Sequence, residues 1–273
     1  MNRALGIAAL ISMTGCDVID DVRDIRDQID GYTERFVAQG IVLGVSPLDE
    51  DIDLEGAGFH GAKAVMFLAD ATQIAELERA PISGVVPQLH SASNGSLSMY
   101  DDGNGTYSIH HDEGLRYQSG EMVAVSIGYD GEARALGVRA PSPADLQDVE
   151  SIHRAETAMV IDLSDQPFHT ALVVVFEVES GEVTYSNEPD DIQALYEMTH
   201  GSGFQDSEPE GVVVQIPERA FRDEGVYAIG VAGVAVGGEK HMDGVNTALS
   251  TMIAGTWRFA KVCTETFARA CEP

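Results

Sequence analysis

The sequence predicts a mainly β protein made of two tandem β-sandwich domains, and three observations point there. Short β-branched and apolar runs recur along most of the chain, separated by Gly, Asn and Asp clusters at regular short intervals. Only one helix of the body is well signalled, in a stretch near residue 190. Two prolines within five residues, Pro141 and Pro143, divide the strand pattern in two, because proline stops both helix and sheet.

In the first half, strands are expected over 36–45, 63–69, 84–90, 97–100, 107–111, 122–127 and 133–139. The clearest hairpin is Asp101-Asp102-Gly103-Asn104-Gly105-Thr106-Tyr107, where Gly and Asn supply the positive φ that a tight connection needs. The first sandwich is therefore assigned to 33–140 and a linker to 141–154, with a short helix expected over 145–154. The second sandwich takes 155–273. Its strands are expected over 158–163, 171–178, 183–186, 212–216 and 226–236, with 256–262 closing the sheet.

Residues 171–176 are apolar at every position, as a strand buried on both faces requires. A helix is opened by Pro189, favoured at its positive end by Asp190 and Asp191, striped by Ile192, Leu195 and Tyr196, and closed by His200 before Gly201. The stretch 246–254 suits either a short helix or a strand. Tyr107 and Tyr227, each two residues after a glycine, fit the position of tyrosine corners in Greek-key sandwiches.

Three features of the first half carry a resemblance. They are the Pro81-to-Gly84 strand entry, the acidic Gly-rich turn ending in Gly105-Thr106-Tyr107, and Gly120-Glu121 before Met122. Together, over about sixty residues, they resemble the immunoglobulin-like and prealbumin-like modules of bacterial envelope proteins. The resemblance implies an immunoglobulin-like sandwich and no particular ligand.

The first fifteen residues read as a signal peptide: Arg3 gives a positive start, and 4–13 form an apolar run. Ten residues at ~1.5 Å each reach roughly 15 Å, about half of a ~30 Å hydrocarbon core, so the run is too short to span a membrane. Met13-Thr14-Gly15-Cys16 resembles the bacterial lipobox, with Met13 where that family usually has Leu. The resemblance implies cleavage before Cys16 and lipidation of its thiol, with a cell-envelope location at the outer membrane or the periplasmic face of the inner membrane. Acyl chains add ~0.8 kcal/mol per buried methylene, enough together for stable anchoring. Within 16–32, Val18, Val22, Ile25 and Ile29 form one apolar helical stripe. That segment is read as a tether helix, with docking against the first sandwich as the alternative.

Charge narrows the partners. The chain carries 45 acidic residues against 16 basic ones, a net charge of −29, and its only lysines are Lys63, Lys240 and Lys261. No basic patch meets phosphates, which argues against nucleic acid. An anionic membrane would repel this surface, so membrane affinity must come from the lipid. The acidity itself reads mainly as solubility in a cation-rich medium. With Cys16 lipidated, Cys263 and Cys271 remain as a pair in an oxidising compartment. A disulfide between them would be worth roughly 2.5 kcal/mol on the chain-entropy model. Eight residues apart on one helix lie about 12 Å apart, beyond the ~7 Å limit for a bridge, so a bridged tail must turn back. A metal or redox pair is the rival reading.

No catalytic, cofactor or metal motif survives inspection. Asp49, Asp51 and Asp53 alternate like a calcium loop, but Leu54 and His60 occupy the positions where Gly and Glu are needed. On a strand, His110 and His111 would face opposite ways and could not chelate together. His200-Gly201-Ser202-Gly203 lacks the Gly-x-Ser-x-Gly pattern of a nucleophile loop. The functional expectation is thus a lipid-anchored envelope protein that presents its sandwiches to a protein or glycan partner, with no cofactor. The alternative is an envelope-polymer hydrolase using carboxylates or histidines of the second domain.

Overall fold

The computed structural model describes residues 34–46, 52, 54, 59–189, 192–200, 211–237 and 242–271. The segment read as a signal peptide, Cys16, the 16–32 segment, Asp49, Asp51, Asp53 and residues 201–203 therefore lie outside the described residues.

The architecture is mainly β and sandwich-like. In chain order the strands of the first half are β1 (Phe36–Val45), β2 (Lys63–Asp70), β3 (Gln88–Ser91), β4 (Gly95–Ser98), β5 (Tyr100–Gly103), β6 (Thr106–His110), β7 (Met122–Tyr129) and β8 (Glu132–Arg139). The second half contributes β9 (Ile152–His153), β10 (Met159–Leu163), β11 (Thr170–Glu177), β12 (Val183–Ser186), helix α1 (Ile192–His200), β13 (Val212–Ile216), β14 (Val226–Val236), β15 (Met242–Asp243) and β16 (Thr251–Thr264).

One large sheet runs through both halves in the order β12-β11-β14-β16-β1-β2-β6-β5, with β9 also on β16. Its join is parallel: β1 lies beside the first half of β16, from Gln39 opposite Thr251 to Val45 opposite Trp257. Two smaller sheets cover one face of it. Strands β15-β8-β7-β3-β4 pack over the first half, and the pair β10-β13 packs over the second.

Side-chain alternation builds these layers. Ala38 and Val42 of β1, Met66 and Leu68 of β2, and Tyr107 and Ile109 of β6 enclose one core with Leu89, Val123, Val125 and Leu136. Val173 and Val175 of β11 enclose the other with Ile161, Ile216 and Phe221. Strands β14 and β16 serve both. Met252 and Ala254 belong to the first core while Val262 belongs to the second, and Arg258 stands exposed between. The sequence gives no hint that the two sandwiches share this sheet.

Local outcomes differ from expectation in places. No helix forms over 145–154. Ala144 and Leu146 are buried alternately into the second core, and the Asp145 backbone exchanges hydrogen bonds with the Gln166 side chain at 2.8 and 3.2 Å, which holds the segment extended. Residues 84–87 are likewise outside any strand. The 246–250 stretch is a turn, and the strand expected from 256 begins at Thr251. Tyr227 donates to the Asp223 carbonyl four residues upstream (2.8 Å), the geometry of a tyrosine corner. Tyr107 instead donates to the Ile82 carbonyl, twenty-five residues away (3.0 Å), so it clamps a long connection. After β16 a 3-10 turn over Glu265–Ala270 folds the tail back, and Cys263 and Cys271 are joined by a disulfide with Cα atoms 5.9 Å apart.

Candidate binding groove on the shared sheet

Among the described residues, the face of the large sheet opposite the small sheets is only partly covered. Over β11, β14 and β16 it is capped by aromatic packing: the Phe59 ring lies 5.5 Å from Trp257, 5.0 Å from Phe259 and 6.0 Å from Phe176. Over β1, β2 and β6 the same face forms the floor of a groove of about 730 Å³. That volume lies in the range of small-molecule sites, roughly 300–1,000 Å³.

Alternation along each strand decides what the floor presents. Ile41 and Leu43 of β1, Val65 and Phe67 of β2, and Thr106 of β6 point into the groove, while their neighbours fill the core beneath. Leu172 and Leu195 add apolar surface from β11 and α1. Polar groups stand among them: Gln39 in the floor, and Lys63, Glu78, Asn104 and Glu188 around it.

Gln39 interrupts an otherwise apolar strand and is 1% exposed. Its Nε2 donates to the Leu249 carbonyl at 2.9 Å, and its Oε1 has no hydrogen-bond partner. Thr251, the residue opposite Gln39 on β16, is also fully buried with an unpartnered Oγ1. Leaving such buried polar groups unmet costs about 1–3 kcal/mol each.

Glu188 is placed by the chain just after β12. The Asn187 side chain accepts from the Val173 N–H (2.6 Å) and donates to the Ala171 carbonyl (3.1 Å), so it carries on the pairing that β12 ends. The Ser186 hydroxyl accepts from the Glu188 N–H at 3.1 Å, and Pro189 then leads into α1. Glu188 is exposed as a residue, yet the groove walls strip enough water from its carboxyl to raise its pKa, against the opposing charge of Lys63. A carboxyl whose folded pKa is raised contributes stability below its unfolded pKa and loses it as pH rises through the folded value. Glu188→Gln should therefore melt higher than the parent near pH 7, with the two curves converging below about pH 4. A parent advantage at pH 7 would show that Lys63 outweighs desolvation.

Several of the described histidines make structural contacts. His90 Nε2 bonds the Ser126 hydroxyl at 2.7 Å on the outer sheet, His153 packs on Phe221 at 4.6 Å, and His169 Nδ1 accepts from the Val236 N–H at 3.3 Å. His111 lies beyond the strand that ends at His110, and its ring meets His60 edge-on at 4.6 Å. None of these lines the groove. Among the described residues no three or more His, Cys, Asp or Glu side chains are grouped to hold a metal ion, and no helix is long and apolar enough to cross a membrane.

Sequence reading missed Gln39, Lys63 and Glu188. A faint signal existed in the first two: an amide inside an apolar strand, and one of only three lysines at a strand start.

Fold and groove together define a class: a mainly β, sandwich-like protein with an open groove on its shared sheet. No family model matches the sequence, and no curated protein matches it. Among solved structures, the adhesin InvE of Yersinia pseudotuberculosis aligns over 83% of this chain at 10% identity, with a TM-score of 0.22. The chain spans 58% of that adhesin chain. An overlap that low defines neither a shared topology nor a shared role.

Proposed function

We propose that this protein is a lipid-anchored component of the bacterial cell envelope whose body binds an envelope protein or glycan in the groove over β1, β2 and β6. The observation that carries the binding reading is the groove itself. It joins an apolar floor of Ile41, Leu43, Val65 and Phe67 to the buried, unpartnered Gln39 Oε1. Such a combination of apolar surface with a few fixed polar groups is what ligand sites have in common. The anchoring reading is supported by the lipobox-like Met13-to-Cys16 and by a net charge of −29, which leaves the protein surface little affinity for anionic lipid.

Two variants test the two parts separately. Cys16→Ala should move the protein from the membrane to the soluble fraction, and unchanged membrane retention would remove the anchor. Val65→Trp should fill the groove and abolish capture of ligand from an envelope extract while leaving fractionation unchanged. Capture that survives the plug would remove the groove.

A specific observation also favours hydrolysis as a second reading. Glu188, its carboxyl raised by desolvation, lines the groove with a second carboxylate, Glu78. A groove with two carboxyls in its lining suits acid–base cleavage of a glycosidic bond. On that reading Glu188→Gln abolishes turnover of an envelope polysaccharide, whereas pure binding shows no turnover in the parent.

A further inference from the structure

The groove's hydrogen-bonding inventory is lopsided. Gln39 has committed its Nε2 to Leu249, which leaves only its Oε1, an acceptor. Ionised Glu78 and Glu188 are acceptors only. Among the described residues Lys63 is the single cation of the lining, and Asn104 and Thr106 can act either way. A ligand that satisfies this set must be rich in donors, which hydroxyl and ammonium groups are.

Charge sets a second condition. Glu78 and Glu188 outnumber Lys63 in the groove, on a chain with a net charge of −29. Anionic polymers are repelled, and neutral or amine-bearing ligands are not.

The floor sets a third. It is the face of a sheet whose backbone groups are already paired between β1, β2, β6 and β16, so it offers side chains only. Extended peptides gain affinity from main-chain bonds to a free sheet edge, which this floor lacks. A rigid ring with one C–H face and a rim of hydroxyls needs no backbone partner. Phe67, Val65 and Ile41 supply the apolar surface for such a ring.

Resting on the binding reading above, we infer that the groove is a carbohydrate site for a neutral or amino-sugar oligosaccharide. A sugar ring lies on Phe67 and Val65, a hydroxyl donates to Gln39 Oε1, and Glu188 and Glu78 take hydroxyl or ammonium groups.

Titration calorimetry on the full chain in detergent tests this with four probes. These are a β-1,4-linked N-acetylglucosamine tetramer, the glucosamine tetramer, a galacturonate tetramer and a lysine-rich decapeptide. The two glucosamine-type tetramers should bind and the galacturonate should not. Phe67→Ala should weaken both by roughly tenfold or more, the scale of a lost ring contact. Glu188→Gln should weaken the amine-bearing tetramer selectively, since a charged hydrogen bond carries more than a neutral one. Val65→Trp should abolish both, and Thr106→Trp fills the same space from the neighbouring strand, guarding against a folding defect in the first plug. Binding of the decapeptide alone, lost on plugging, would overturn the carbohydrate assignment and leave the groove standing. Binding of any probe that neither plug disturbs would overturn the groove as well.

Discussion

Gly105→Ala should lower the melting temperature by roughly 6–12 °C, while Gly103→Ala, two residues away in the same hairpin, should cost only a few degrees. Both glycines have positive φ, +92° and +75° in chain order, and Asn104 between them sits at +51°. An alanine at either place pays left-handed strain of about 1–2 kcal/mol. Their surroundings differ. A Cβ on Gly103 meets nothing within 4 Å, whereas one on Gly105 comes within 2.5 Å of the Leu68 carbonyl oxygen and 2.9 Å of Pro81 Cβ.

Those neighbours cannot give way cheaply. The Leu68 N–H donates to the Gly105 carbonyl at 2.8 Å, and the Leu68 carbonyl accepts from the Ile82 N–H at 2.9 Å. Both of the Leu68 backbone groups are thus engaged where the clash would fall. Overpacking of this kind adds about 1–3 kcal/mol, so the total is near 3 kcal/mol. For a chain of this size each kcal/mol moves the midpoint by about 2–4 °C. Thermal melts followed by circular dichroism check the pair. Equal losses from the two substitutions would show that backbone strain, and not the close approach to β2, sets the cost.

The same hairpin shows what was readable in the sequence. Its turn residues act through their own backbone preferences, so Asp101 to Tyr107 could be read locally. Strands with one core face and one drier or wetter face, such as β2 and β7, were readable from their alternation. Strand β16 was readable only over 256–262, because residues 251–255 ahead of that run are all buried and the period of two is lost there. The beginning of β16 therefore resembled either element. Helix α1 was readable from its opening proline and its stripe, both of which are local.

The groove was illegible for a different reason. Gln39, Lys63 and Glu188 belong to no motif, and their meeting depends on strand order. Gln39 gains its neighbour Thr251 from 212 residues further along the chain, and that pairing has no local cause. The misread helix over 145–154 fails for the same reason, since its extended form is imposed by Gln166 and by the second core.

That long-range pairing has a large expected consequence: the chain should unfold in one cooperative transition, and the fragment 34–140 should not fold alone. Freed from the second half, β1 loses its whole parallel partner from Gln39 opposite Thr251 to Val45 opposite Trp257. The first core also loses Met252, Ala254 and Val245, all buried. A large apolar side chain contributes about 1.5–3 kcal/mol when buried, and a domain has a net stability of only about 5–15 kcal/mol. Losing these side chains and one edge of the sheet removes a comparable amount. The chain supplies a convenient probe, because its single tryptophan, Trp257, is 3% exposed and lies at the last residue of the β1–β16 pairing. Trp257 fluorescence should follow the same denaturant midpoint as hydrogen exchange at Val123 and Val125 of β7, which report the first core from its far side. Two separated midpoints, or a folded 34–140 fragment, would mean that each sandwich holds without the other and that the shared strands only join them. A single midpoint would mean that β14 and β16 are structural members of both sandwiches, and that a change at the groove floor on β1 is felt in the second core.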